Sequence, residues 1–487
     1  MKTVPTGIKG LDEVLNGGFN HPSTVLIAGT AGAGKTTFVM QSLFNAAREG
    51  ETCLFISAIS EPIAMMESFV SSYSFFDYSL LEKKKIRLFN IEKDLLNAGA
   101  SDVLKFVEEK IQMCRPNRIV IDPVSVLAEV KEKDFERRLF LFEFLTRMKS
   151  WNLLVLLTGE FTIDSLKENP LGYLSDAIIH ISETITGDKS ERHLIVIKMR
   201  GRMYIPGRHS YKITDNGLTV FPRLLPELDI NRPASKLRVS SGVEGLDRML
   251  DGGFLKDDVV LFSGSPGTGK TIFGLHFINE GAKNGEPCLI ISFEEWPQKI
   301  IRNARAFGWD FEDLQKKNMV KFIYFPPALF NADEHGVMIK EFIKENNVKR
   351  IFFDGIENLV IALSDAIKRR EYVHSLVDHF SSNGITTLLT NEIPELFGVI
   401  RLTIEDLSGC VDTVILLRQV EVESQMKKAL SILKTRGSDH DKEIREFEIT
   451  NKGIEVKVAI KGYENVLAGM ARKPPAEIFR EMFGGKK

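Results

Sequence analysis

The chain repeats itself. Thr6-Gly7-Ile8-Lys9-Gly10-Leu11-Asp12-Glu13-Val14-Leu15-Asn16-Gly17-Gly18-Phe19 returns as Ser241-Gly242-Val243-Glu244-Gly245-Leu246-Asp247-Arg248-Met249-Leu250-Asp251-Gly252-Gly253-Phe254, an offset of 235 that Lys35 to Lys270, Cys53 to Cys288 and Pro62 to Pro297 keep. Lys198-Met199-Arg200-Gly201 answers to Lys434-Thr435-Arg436-Gly437 at an offset of 236. Solenoid repeats are far shorter than this, so the pattern is that of one domain present twice. With 487 residues in all, each half is long enough to bury its own core. The stretch from Pro222 to Ser235 holds three prolines and no sustained periodicity, as a linker would. The expected domains are therefore 1–235 and 236–487, the second ending in a tail from about 462.

Each half contains one match to G-x-x-x-x-G-K-[ST]: Gly29-Thr30-Ala31-Gly32-Ala33-Gly34-Lys35-Thr36, followed by Thr37, and Gly264-Ser265-Pro266-Gly267-Thr268-Gly269-Lys270-Thr271, followed by Ile272. Apolar runs precede both, and helix-like segments start at Thr37 and Ile272. Glycines let such a loop curl so that its N–H groups face phosphate oxygens at the positive end of a helix. In this pattern Lys35 and Lys270 reach the β- and γ-phosphates of ATP, and the hydroxyls of Thr36 and Thr271 ligate Mg²⁺. Two matches at one spacing exclude a chance glycine-rich turn.

Short apolar runs alternate with longer amphipathic ones, among them Cys53-Leu54-Phe55-Ile56-Ser57 and Leu153-Leu154-Val155-Leu156-Leu157. Runs of this kind suit strands covered on both faces, and so an α/β fold built on a mostly parallel sheet in each half. Two runs end in aspartate: Ile119-Val120-Ile121-Asp122 and Ile351-Phe352-Phe353-Asp354. A carboxylate at the end of a buried strand, after a phosphate loop, is placed to hold Mg²⁺.

The halves differ where a catalytic base is expected. The second reads Ser292-Phe293-Glu294-Glu295-Trp296-Pro297, and the first, at the same offset, Ser57-Ala58-Ile59-Ser60-Glu61-Pro62. Glu294 and Glu295 can polarise water against a γ-phosphate; Ile59 and Ser60 cannot, and alternation along a strand sets Glu61 on a different face from Ser60. The first half is thus expected to bind ATP and hydrolyse it poorly, and the second to carry turnover.

These motifs together resemble the two-domain KaiC family of RecA-like ATPases over nearly the whole length. The resemblance is carried by the G-[IV]-x-G-L-D-x-x-L-x-G-G-F openings, both phosphate loops, Phe293 to Pro297, and Lys434-Thr435-Arg436-Gly437-Ser438-Asp439-His440-Asp441. It implies a hexamer with ATP between neighbouring subunits, in which Lys434 and Arg436, and by repeat Lys198 and Arg200, reach the next subunit's γ-phosphate. It also implies autophosphorylation on an adjacent Ser-Thr pair in the second domain. Here Ser408 keeps the serine, Gly409 stands in place of the threonine, and Thr403 is a nearby hydroxyl. The tail departs from the clock proteins' partner-binding tail, although residues 478, 479, 482 and 483 fit one helical face that would dock a partner protein or pack on the ring.

A formal net charge of −2 argues against the alternative of a nucleic-acid motor, and the paired glutamates argue against a sensor without turnover. Cys53, Cys114, Cys288 and Cys410 lack metal-ligand spacing. With neither a signal-peptide stretch nor an apolar run long enough to span a bilayer, the sequence reads as that of a cytoplasmic protein.

Overall fold

The computed structural model describes residues 2–58, 63–92, 95, 100–129, 134–186, 189–226, 235–359, 363, 365–393, 407–468 and 471–473. The chain divides into two compact units, Met1–Arg223 and Leu224–Lys487. Each is built on a nine-stranded sheet, and the two sheets share one topology.

In the first unit, six parallel strands run in the order Ile86–Asn90, Cys53–Ser57, Arg118–Asp122, Leu154–Glu160, Ser23–Gly29 and Ala177–Thr186. Lys189–Met199, Arg208–Thr214 and Gly217–Phe221 extend it antiparallel. The second unit repeats the order as Val320–Tyr324, Cys288–Ser292, Arg350–Asp354, Thr386–Glu392, Val259–Gly264 and Thr413–Val422, extended by Gln425–Thr435, Arg445–Thr450 and Gly453–Ala459.

Successive side chains of a strand point to opposite faces, so a strand with a core on each side must be apolar throughout. Along Ser23–Gly29, Val25 and Ile27 enter one core while Leu26 and Ala28 enter the other. Along Val259–Gly264, Val260 and Phe262 face one core, Val259 and Leu261 the second. The helices that follow the phosphate loops, Lys35–Arg48 and Lys270–Lys283, pack Phe38 and Phe44, or Phe273 and Phe277, into the first of these cores.

The repeated opening motif closes each unit's edge. Asp12 accepts from the Thr6 N–H at 2.8 Å, and Asp247 from the Ser241 N–H at 2.8 Å. Gly18 and Gly253 lie at φ +96° and +114°, and a Cβ there would stand 2.2 Å from the Val4 carbonyl oxygen or 2.4 Å from that of Val239, so the motif admits no side chain.

A fully buried arginine ties that opening to the sheet. Arg118 donates to the Pro5 carbonyl at 3.1 Å, the Ser42 hydroxyl at 2.7 Å and Glu51 at 3.1 Å. Arg350 donates to the carbonyls of Ser240 at 2.9 Å and Phe277 at 3.1 Å, and pairs with Glu286. Truncating it takes that partner from Glu286 and the Ser240 carbonyl, so Arg350→Ala is expected to cost the second domain about 2–3 kcal/mol, read as a lowered denaturation midpoint.

Candidate functional site

Both phosphate loops join the central strand to a helix that begins at the lysine itself, Lys35 or Lys270, two residues before the starts expected at Thr37 and Ile272. The cause is the preceding glycine. Gly34 and Gly269 cap their helices in the left-handed region, at φ 91° and 104°, where a β-carbon would lie 2.4 Å from the Ile213 Cδ1 atom or 2.9 Å from that of Ile449. Thr37 and Ile272 fall in the first helical turn, half-buried, with Ile272 against the second unit's core. The loop apices, Ala31-Gly32 and Pro266-Gly267, are exposed.

Each lysine bends back over its loop. Lys35 Nζ donates to the carbonyls of Gly29 at 3.1 Å and Thr30 at 2.8 Å; Lys270 Nζ donates to those of Gly264 at 2.8 Å and Ser265 at 3.3 Å. Burial lowers the Lys35 pKa, against the raising charges of Glu160 and Asp122. An anion set in such a loop, at a helix start, meets a cation and converging N–H groups.

The predicted hydroxyl and carboxylate pairs meet beside the loops. Thr36 Oγ1 donates to Asp122 Oδ2 at 2.8 Å, and Thr271 Oγ1 to Asp354 Oδ2 at 3.2 Å. Asp354 is fully buried; its desolvation drives the carboxyl up to about 6, and Glu294 and Glu295 push the same way, against hydrogen bonds from Thr390 and Thr271. A buried carboxylate in that condition, beside a hydroxyl, suits a hard cation.

Glu294 and Glu295 diverge. Phe293 is clamped among Phe325, Phe330 and Phe353, and the Ser292 hydroxyl accepts from the N–H groups of both glutamates. Beyond this anchor Glu295 turns away, paired with Lys299 at 2.7 Å and accepting from Asn303 at 3.2 Å. Glu294, although exposed, sets one carboxylate oxygen within 4.8 Å of one from each of Glu357 and Glu392. The first-domain counterparts Ile59 and Ser60, with Glu61, lie outside the described residues.

Lys434 and Arg436 sit at the other end of the sheet. The Arg436 N–H donates to the Asp412 carbonyl, and the Asp412 N–H to that of Val259, the first residue of the strand whose last residue is Gly264. At about 3.3 Å per residue, roughly 17 Å separates that level from the phosphate loop. Lys434 Nζ donates to the Val411 carbonyl at 2.7 Å, and Arg436 Nη2 to that of Gly409 at 2.8 Å. In the first unit the Lys198 ammonium meets the Gly172 and Tyr173 carbonyls, and the Arg200 guanidinium meets Tyr173.

Among proteins of known family, the KaiC ATPase model matches residues 4–224 and again 239–460. The chain belongs to the KaiC family. It is 30% identical over 474 residues to the circadian clock oscillator protein KaiC of Parathermosynechococcus lividus, covering 95% of this chain and 87% of that one. To the protein of the same name from Synechococcus elongatus it is also 30% identical, over 95% of this chain and 91% of the relative.

Within this KaiC-family chain several site residues escaped the motif reading. Thr158 and Thr390 donate to Asp122 and Asp354, the latter at 2.6 Å, and Glu160 and Glu392 stand 3.8 Å from Lys35 and Lys270. The duplication held the signal: Thr158-Gly159-Glu160 and Thr390-Asn391-Glu392 end equivalent strands. Glu357 has no such twin, because Ser125 follows Asp122 where Glu357 follows Asp354. Ser408 lies in the short helix Leu407–Cys410; Thr403 and residues 474–487, with the predicted amphipathic segment, lie outside the described residues. No helix among the described residues is long and apolar enough to cross a membrane.

Proposed function

We propose that this KaiC-family ATPase works as a ring with two unequal site layers: a second domain that hydrolyses ATP with Glu294 as base, and a first that binds ATP to hold subunits together. The observation that carries the reading is the separation of Lys434-Arg436, and of Lys198-Arg200, from the phosphate loop of their own domain. A cation pair on the far end of the sheet serves a γ-phosphate only when a neighbour presents one, which is the head-to-tail arrangement of a closed ring, here a hexamer.

In each cis half-site the phosphate loop and Lys35 or Lys270 bind the triphosphate. Thr36 with Asp122, and Thr271 with Asp354, would hold Mg²⁺, which neutralises charge on the β- and γ-phosphates. Glu294 accepts a proton from the attacking water, and Arg436 of the adjoining subunit meets the charge that grows on the phosphoryl oxygens. Serine autophosphorylation belongs to the same reading. Since Arg436 and Lys434 bond the carbonyls of Gly409 and Val411, Ser408 travels with the pair toward the neighbour's nucleotide.

The division of labour is tested at the first loop. Lys35→Ala is expected to raise the protein concentration needed for rings in ATP, measured by sizing, while turnover per assembled subunit stays close to that of the wild type. An equal fall in hydrolysis and assembly would assign turnover to the first domain as well.

A further inference from the structure

The second site holds a carboxyl that hydrolysis by Glu294 and Lys270 does not by itself require. Glu357 is half-buried three residues after Asp354, and its Oε2 accepts from the Glu392 N–H at 3.1 Å. It shares a hydrogen bond with Glu294, which is the exposed member of the three-carboxyl group. Gly355 leaves the room: a β-carbon there would lie 3.3 Å from Glu294 Cγ. In the first domain's sequence Ser125 and Ile59 occupy the two corresponding positions.

Two carboxyl groups in hydrogen-bond contact cannot both be ionised without strong repulsion; one proton between them turns repulsion into a short-range tether. The geometry points to Glu357 as the positioning residue of the second site: protonated, it donates to Glu294 and fixes the direction of the base toward the attacking water. This rests on the reading of Glu294 as the base.

The surroundings place the proton on Glu357. Its burial, and then the charge of Glu294, raise it to about 7, against the N–H groups of Glu357 and Glu392, which favour the carboxylate. The charged groups around it are Glu294 from the loop after Cys288–Ser292, Glu392 from the end of the strand Thr386–Glu392, Asp354 at the end of the strand that precedes its turn, and Lys270, 3.8 Å from Glu392. Raising the pH through about 7 removes the proton, and Glu294 is then repelled by the group that had held it.

The test is the pH profile of kcat for ATP hydrolysis by the assembled full-length protein. Wild-type turnover is expected to fall as the pH rises through about 7. Glu357→Gln, a permanent neutral donor, keeps the rate and loses that fall. Glu357→Ala lowers kcat about tenfold, with KM little changed, because the base is no longer held. ATP ionisation is common to all three proteins and cancels in the comparison. A glutamine variant with the wild-type fall, or an alanine variant with wild-type kcat, overturns the inference; if the alanine protein does not fold, the glutamine profile decides. Glu294→Gln is measured alongside. If it retains turnover, the base assignment itself fails; if it is inactive while Glu357→Gln keeps the wild-type fall, only the role of Glu357 fails.

Discussion

Glu294→Gln is expected to lower ATP turnover by roughly 10²- to 10³-fold, the lower part of the range for losing a general base, while rings still assemble. Glu295→Gln should change little. The two residues are adjacent in sequence, yet one backbone step separates opposite surroundings. Glu295 is committed to Lys299 at 2.7 Å and to Asn303, on the helix that starts at Pro297. Glu294 instead faces Glu357 and Glu392, the latter 3.8 Å from Lys270. Glutamine preserves its size and most of its contacts but cannot take a proton from water, so the loss should appear in kcat rather than in nucleotide affinity. Turnover and phosphate incorporation measured on both single variants, with sizing as the assembly control, decide the matter. A larger loss at Glu295 would mean that nucleotide frees it from Lys299 and that the two glutamates exchange roles. Wild-type turnover in both would shift hydrolysis to the first domain, with Glu61 as its candidate base.

What was legible beforehand follows from how far each feature depends on chain neighbours. The phosphate loops are local: strand, glycine turn and helix lie within some twenty residues, so their residue types give them away. The two-sided burial of the central strands is likewise written in uninterrupted apolar runs such as Val25 to Ala28. Asp122 and Asp354 were recognisable from the strands they end, although only the folded sheet sets them against Thr36 and Thr271. Glu392 was marked only by its repeat partner Glu160, because its place beside Lys270 depends on sheet order: the strand Thr386–Glu392 lies between those carrying Asp354 and Gly264, despite following both in the chain; Glu357 has no repeat partner to mark it. The split between Glu294 and Glu295 was hidden for another reason, since period-2 alternation stops at Ser292, where the strand ends and the Phe293 anchor and Ser292 hydroxyl set the turn. The role proposed for Lys434 and Arg436 rests on family resemblance, not on spacing, because a Lys-x-Arg at a strand end is ordinarily a solvated face.

That role yields the second large effect. Arg436→Ala is expected to reduce turnover about 10³-fold, the lower part of the range for an arginine supplied to a phosphoryl-transfer site. Guanidinium donors spread over several phosphoryl oxygens as their charge grows, which an alanine leaves to water. The loss alone would not distinguish a neighbour's arginine from one acting within its own subunit, but mixing does. Arg436→Ala subunits keep an intact Lys270, and Lys270→Ala subunits keep an intact Arg436. In rings formed from equal amounts of the two, about a quarter of head-to-tail interfaces pair an intact phosphate loop with an intact arginine. Two nearly inactive proteins should therefore recover up to about a quarter of wild-type turnover when disassembled together and reassembled with ATP. Mixing already formed rings without exchange should recover nothing, which separates interface repair from simple addition of rates. If co-assembled rings, verified to contain both variants, remain inactive, Arg436 does not complete a neighbour's site. The far-end position of Arg436, held by the Gly409 carbonyl and 3.6 Å from Asp412, would then be structural.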